Sequence, residues 1–120
     1  MLQLSLHPTI VGNRPMPNDF VVIWTSDSFG ARRVGRIRLA TQHLLAERWE
    51  WSINLPMPVP AWGHGIARSR PMANAAFKRI FEKFHSQTTA RQWADAFAAQ
   101  GTSEERLQRE KQRRADVWRE

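Results

Sequence analysis

The side chains whose type and spacing point most directly to chemistry are arginines: Arg32, Arg33, Arg36, Arg38, Arg48, Arg68 and Arg70. The chemistry is anion binding, because a guanidinium presents a planar fork of donors that fits phosphate and also stacks on bases. Arg36 and Arg38 are two residues apart, so on a strand they share a face. Arg48 falls in a second alternating segment, and Arg32 and Arg33 stand where the first of the two begins. Arg68 and Arg70 flank Ser69 where a helix is expected to start, and there free N–H groups and the helix dipole already attract an anion. Trp62 in a loop and Trp118 near the end are candidate exposed aromatics, and Trp62, His64, Leu107 and Trp118 are the candidate contacts for a protein partner. His64 lies between Gly63 and Gly65, which let backbone approach a ligand.

Other chemistries find less support. The four histidines (His7, His43, His64, His85) are scattered, and no two of them stand at i,i+3 or i,i+4, so no metal site is expected. There is no cysteine, which removes thiolate nucleophiles and disulfides. Asp27, His64 and Ser69 contain the residue types of a hydrolytic triad, but no nucleophile-elbow pattern surrounds Ser69. Glu47 is expected on the opposite strand face from Glu50, which separates them as an acid–base pair. Gly63-His64-Gly65 is followed by no phosphate-loop lysine. The expectation is a non-enzymatic protein without a cofactor or metal.

The charge is concentrated in the middle. Residues 1–31 carry one Arg against two Asp, residues 32–86 carry ten Lys/Arg against three Glu, and residues 87–120 carry seven against six, giving −1, +7 and +1. A basic folded surface is the footprint of a polyanion partner. Of 18 basic residues only Lys78, Lys83 and Lys111 are lysine, a bias that suits nucleic acid and that GC-rich codons would also produce. No apolar run approaches the roughly 18 residues of a membrane span, and the first residues lack a signal-peptide pattern, so a cytoplasmic location is expected.

The elements that must position these side chains follow from periodicity. Residues 7–19, rich in Pro, Gly and Asn, are expected to be an irregular arm, with Leu2, Leu4 and Leu6 alternating as a short edge strand before it. Residues 20–25 (FVVIWT) predict a strand buried on both faces. Residues 33–39 alternate, with Ile37 and Leu39 on one face and Val34, Arg36 and Arg38 on the other. In residues 47–55, Trp49, Trp51, Ile53 and Leu55 oppose Arg48, Glu50, Ser52 and Asn54. A hairpin turning near His43 would pair Ile37 with Trp49, Arg36 with Glu50 and Arg38 with Arg48. The prolines at 56, 58 and 60 predict an extended segment, and residues 61–65 a loop. Ser69 caps a helix over 70–86 with Ala73, Ala76, Phe77, Ile80, Phe81 and Phe84 inward and Lys78, Arg79, Glu82 and Lys83 outward. Thr89 and Gln92 form a capping box opening a second helix, with Trp93, Ala96, Phe97 and Ala90 apolar, which ends at Gly101. A third helix is expected from about Thr102 toward Trp118.

The expected fold is therefore α+β: a three-stranded antiparallel meander, with a short fourth edge strand an option, covered by one helix and followed by two C-terminal helices. The divisions are an arm (1–19), a strand-strand-strand-helix core (20–86) and a helical appendage (87–120). Gly63-His64-Gly65 followed by Ser69-Arg70, Ala73 and Ala76 resembles the last motif of double-stranded-RNA-binding domains. Pro71 stands where that family has a second basic residue. Pro58, Pro60, Gly65, Ser69, Ala73 and Phe77 resemble the outline of HicB-type antitoxin N-terminal domains. Both resemblances imply binding to RNA or to a nuclease partner, not catalysis. The expected function is nucleic-acid binding through backbone contacts. The alternative is a protein-interaction module, such as an antitoxin or a phage-type inhibitor of a nucleoprotein or nuclease complex. The expected partner is nucleic acid or an acidic protein, with no membrane and with a homo-oligomer left open.

Overall fold

The computed structural model describes residues 2–40 and 47–100. Five antiparallel strands form one meander in chain order: β1 (Gln3–Val11), β2 (Arg14–Ser26), β3 (Gly30–Leu39), β4 (Trp49–Ile53) and β5 (His64–Ala67). A 3-10 turn (Ala61–Gly63) precedes β5, and helix α1 (Arg70–Ser86) follows it. A second helix, α2, occupies residues 90–100. The α+β class with helices packed on a sheet is as the sequence predicted, but the sheet has five strands, not three. The expected third helix, with Leu107 and Trp118, lies outside the described residues, as does the turn near His43.

The first half of β1 is the optional edge strand of Leu2, Leu4 and Leu6, whereas its second half, the start of β2, and β5 come from segments expected to be irregular. Residues 7–19 are not a loose arm; they form most of a β1–β2 hairpin, which turns at Gly12 and Asn13 with φ of +57° and +68°. Two successive left-handed residues make the tight turn whose twist matches paired strands. The prolines are tolerated because β1 is an edge strand and Pro15 and Pro17 lie near the hairpin end. The expected loop at residues 61–65 is divided between the 3-10 turn and β5, where His64 and Gly65 pair with Ser52 and Trp51. Gly65 is required here, since a Cβ would come 2.6 Å from the Trp51 ring.

In β3 the register shifts between Val22 and Ile23 of its partner strand: Val22 faces Gly35 and Ile23 faces Arg33, which leaves Val34 as an extra residue. This bulge reverses the inside-outside alternation of the strand. Val34, expected beside Arg36 and Arg38, is fully buried instead. Arg32 pairs with Trp24 and lies on the helix side, its guanidinium carbon 5.3 Å from the Phe97 ring centre, while Arg33 pairs with Ile23 on the opposite side.

The β3–β4 register is two residues from the expected one. Ile37 faces Trp51, Arg38 faces Glu50 and Arg36 faces Ser52. Arg38 therefore meets a carboxylate and not Arg48, which lies just outside the ladder with its carbonyl accepting from Ala40 N at 2.7 Å. The like-charge contact predicted from the alternation is not made.

The core lies between the sheet and the helices. Val22, Trp24, Ile37, Trp49, Trp51 and Ile53 meet Ala73, Phe77, Phe81 and Phe84 from α1, as the helical stripe predicted. Ser69 caps α1, its hydroxyl accepting from Met72 N at 3.3 Å. The Thr89–Gln92 capping box forms reciprocally at 2.8 and 3.1 Å. From α2, Trp93, Ala96 and Phe97 are buried, whereas Ala90, expected on that side, is exposed. Trp93 packs against Trp24 with ring centres 5.0 Å apart.

Candidate nucleic-acid interface

The sheet has one face covered by helices and one open, and the ladder registers assign the basic residues to each. On the open face, His7, Val21, Arg36, Ser52 and His64 stand in one row across the five strands, and Asp19, Arg38, Glu50 and Ile66 stand in the next. A recess of about 460 Å³ lies among Arg36, Arg38, Glu50, Ser52, Asn54 and His64. His64 is thus an exposed strand residue of this face and not the tip of a glycine loop.

The two central arginines of that face are already engaged. Arg36 Nε donates to Asp19 Oδ1 at 2.9 Å and Arg36 Nη2 to Asp19 Oδ2, while Thr9 Oγ1 also donates to Asp19 at 2.9 Å. The Arg36 guanidinium holds the Asp19 carboxyl below the usual carboxylate range against the opposing effect of partial burial, and Asp19 in turn raises Arg36. Arg38 Nε donates to Glu50 at 3.0 Å. Arg33, Arg36 and Arg38 against Asp19 and Glu50 leave the paired rows of this face with a net formal charge of +1, with Arg48 and Arg68 just beyond them at the end of β4 and β5. The polar face of the hairpin, the first basic element in the sequence, is largely neutralised by its own carboxylates.

The segment that begins just after β5 and runs through α1 differs. Arg68, Arg70, Lys78, Arg79 and Lys83 are all exposed, against Glu82 alone between residues 68 and 86, a net of +4. The outward charges of α1 are thus the larger cationic surface. Among the described residues the only ion pairs are Arg36–Asp19 and Arg38–Glu50, so none of these five is paired with a carboxylate there. Arg70 rests over the Phe20 ring at 5.0 Å, and Lys83 Nζ over Trp62 at 4.4 Å. Such contacts hold a long cation in place without neutralising it. Trp62, expected to be an exposed aromatic, is half-buried against Phe84. Because Trp49 pairs with Ala67, Arg48 and Arg68 leave the sheet at the same end, next to the start of α1.

Arg70 therefore does not share a surface with Arg36 and Arg38. Arg36 and Arg38 are on the open face, and Arg70 is on the helix side with Phe20, the ladder partner of Ile37. The outer face of α1 was legible in its helical period, but the sequence could not show that the sheet arginines have carboxylate partners. Asp27, in the β2–β3 turn, and Ser69, beyond the far end of β5, lie at opposite ends of the sheet and form no triad with His64. Among the described residues no cluster of three His, Cys, Asp or Glu side chains is placed to hold a metal ion, and no helix is long and apolar enough to cross a membrane. No family model, curated protein or solved structure matches this chain.

Proposed function

We propose that this protein is a small non-enzymatic binder of nucleic acid, acting in the cytoplasm and gripping the phosphate backbone with the outer side of α1. The observation that carries the reading is the exposed, carboxylate-poor group Arg68, Arg70, Lys78, Arg79 and Lys83, with Arg48 at the adjoining end of the sheet. Backbone contact by unpaired cations neutralises phosphates and releases counterions, so affinity falls steeply with salt. Arg32, Arg33, Arg36 and Arg38 have no part in that contact.

The test is affinity for short RNA and DNA, single- and double-stranded, across a salt series. Combined replacement of Lys78, Arg79 and Lys83 by Ala reduces the salt slope on duplex DNA by roughly 2 to 3, at about 0.9 for each phosphate no longer neutralised. Absence of binding at low salt overturns the reading.

A second reading, a protein-interaction module of the antitoxin or inhibitor kind, is supported by the β1–β2 hairpin tip. There Ile10 is 40% exposed, Val11 58% and Met16 40%. Neighbouring exposed apolar side chains are a feature of protein contacts. On this reading Val11→Asp abolishes recovery of a protein partner, while the α1 triple replacement does not.

A further inference from the structure

We infer that β1 is the seam of a two-fold homodimer in which two copies join their sheets edge to edge. The sheet has two edges, and they are unlike: β5 is four residues long, whereas β1 is nine. A long free edge offers unpaired N–H and C=O groups to another strand, and natural proteins usually guard it with charge, proline or brevity. The sequence of β1, QLSLHPTIV, contains no Asp, Glu, Lys or Arg, in a chain of which 24% is charged. Its one guard is Pro8, which leaves residues 3–7 free to pair.

The inward side of this edge is also incompletely covered. Helix α1 lies over β3, β4 and β5, and Leu4 and Leu6 remain only half-buried beside a groove of about 240 Å³ shared with Val22, Ile37, Phe77 and Lys78. The strand's own sequence selects the occupant. β1 carries no charged side chain, and Lys78 of α1 is the one charged residue lining the groove beside it. A second copy, which carries +7 and is repelled by most of this surface, meets no repulsion from this strand. The strand is also self-complementary. Antiparallel pairing centred on Ser5 sets Leu4 of each copy opposite Leu6 of the other, closing four leucines over the joined groove, and sets Gln3 opposite His7. An axis perpendicular to the sheet leaves both α1 helices on the same side.

Ser5 is exposed on the open face, so it can be changed without touching the core. Sedimentation equilibrium of the full chain in 0.5 M NaCl, over a concentration series, is expected to show a monomer–dimer equilibrium. Ser5→Lys and Ser5→Glu each weaken it roughly fivefold by placing like charges across the axis. An equimolar mixture of the two regains dimer, identified by native mass spectrometry as one copy of each. Circular dichroism and Tm of each variant confirm an intact fold. A wild-type chain that is monomeric throughout overturns the inference, and so does a dimer indifferent to Ser5→Lys or a mixture that does not pair. Nucleic-acid affinity is read separately, so failure here leaves the proposed function standing.

Discussion

Asp19 and Arg36 are bonded diagonally, not across the ladder: the direct β3 neighbour of Asp19 is Arg38, and that of Arg36 is Val21. Arg38 turns instead to its own neighbour on β4, Glu50. Each arginine thus has a separate carboxylate, and the chain of pairs ties three strands together on the open face. The two pairs differ in environment. Asp19 is largely enclosed, with its side chain 14% exposed, whereas Arg38 and Glu50 are 49% and 42% exposed. Water screens the outer pair, so the inner one carries most of the stabilisation.

Replacing Asp19 by Ala is expected to cost about 1–2 kcal/mol in urea denaturation, because it leaves a half-buried guanidinium and the Thr9 hydroxyl without their acceptor. Glu50→Ala costs about 0.5 kcal/mol or less.

The same carboxylate gives the stability a pH dependence of definite sign. Its folded pKa lies below the ordinary value of 3.8, so its contribution is complete above the unfolded pKa and disappears as the pH falls through the lower folded one. The stability difference between wild type and Asp19→Asn should therefore be constant from pH 5 to 7, roughly, and shrink below about pH 4. A difference that grows on acidification contradicts the assignment.

Gly35→Ala should destabilise the protein by about 2–3 kcal/mol, since an added Cβ would lie 2.3 Å from Phe77 Cε2 and 2.5 Å from the Ser52 carbonyl oxygen. Combined with Phe77→Leu, it should cost less than the two single changes added together. The Ser52 oxygen belongs to the backbone and cannot retreat, so relief is partial. A thermodynamic cycle from chemical denaturation measures the coupling.

Thr89→Ala removes one arm of the capping box at the start of α2. The expected loss is about 1 kcal/mol. Trp93 lies one turn further on, stacked on Phe97 and against Trp24, so its fluorescence should follow the loosened helix at denaturant concentrations below the main transition.

Arg79→Ala is expected to lower the salt slope of duplex binding by about 0.9, whereas Arg38→Ala leaves it unchanged. Equal effects would return the contact to the open face.

The helices were legible because their apolar spacing and caps agree: Ser69 with Phe77, Phe81 and Phe84 for α1, Thr89 and Gln92 with Trp93 and Phe97 for α2. The pairing of strands was less so. Alternation fixes a face but not a partner, so a register two residues away kept Trp49 and Trp51 inside while exchanging Arg48 for Glu50 opposite Arg38. The Gly12-Asn13 pair is a recognisable hairpin turn whose signal was outweighed by the prolines around it. Val34 carried no signal, because a bulge is set by the partner strand and the space beneath it. For the candidate site, the basic side chains were legible; which were neutralised was not, since Asp19 is separated from Arg36 by 17 positions and meets it only through the sheet.

The extra residue at Val34 also lets Arg33 and Arg36, an odd and an even position, share one face of β3. Arg32 reports on the helix side when substituted, and Arg33 before the bulge and Arg36 and Arg38 after it report on the open side. A substitution scan along this one strand thus samples both surfaces of the molecule, the residues of one side acting as an internal control for those of the other. Deleting Val34 would make Arg33 and Gly35 successive residues opposite Ile23 and Val22, so every arginine of β3 would keep its face and the loss would be that of a fully buried side chain alone.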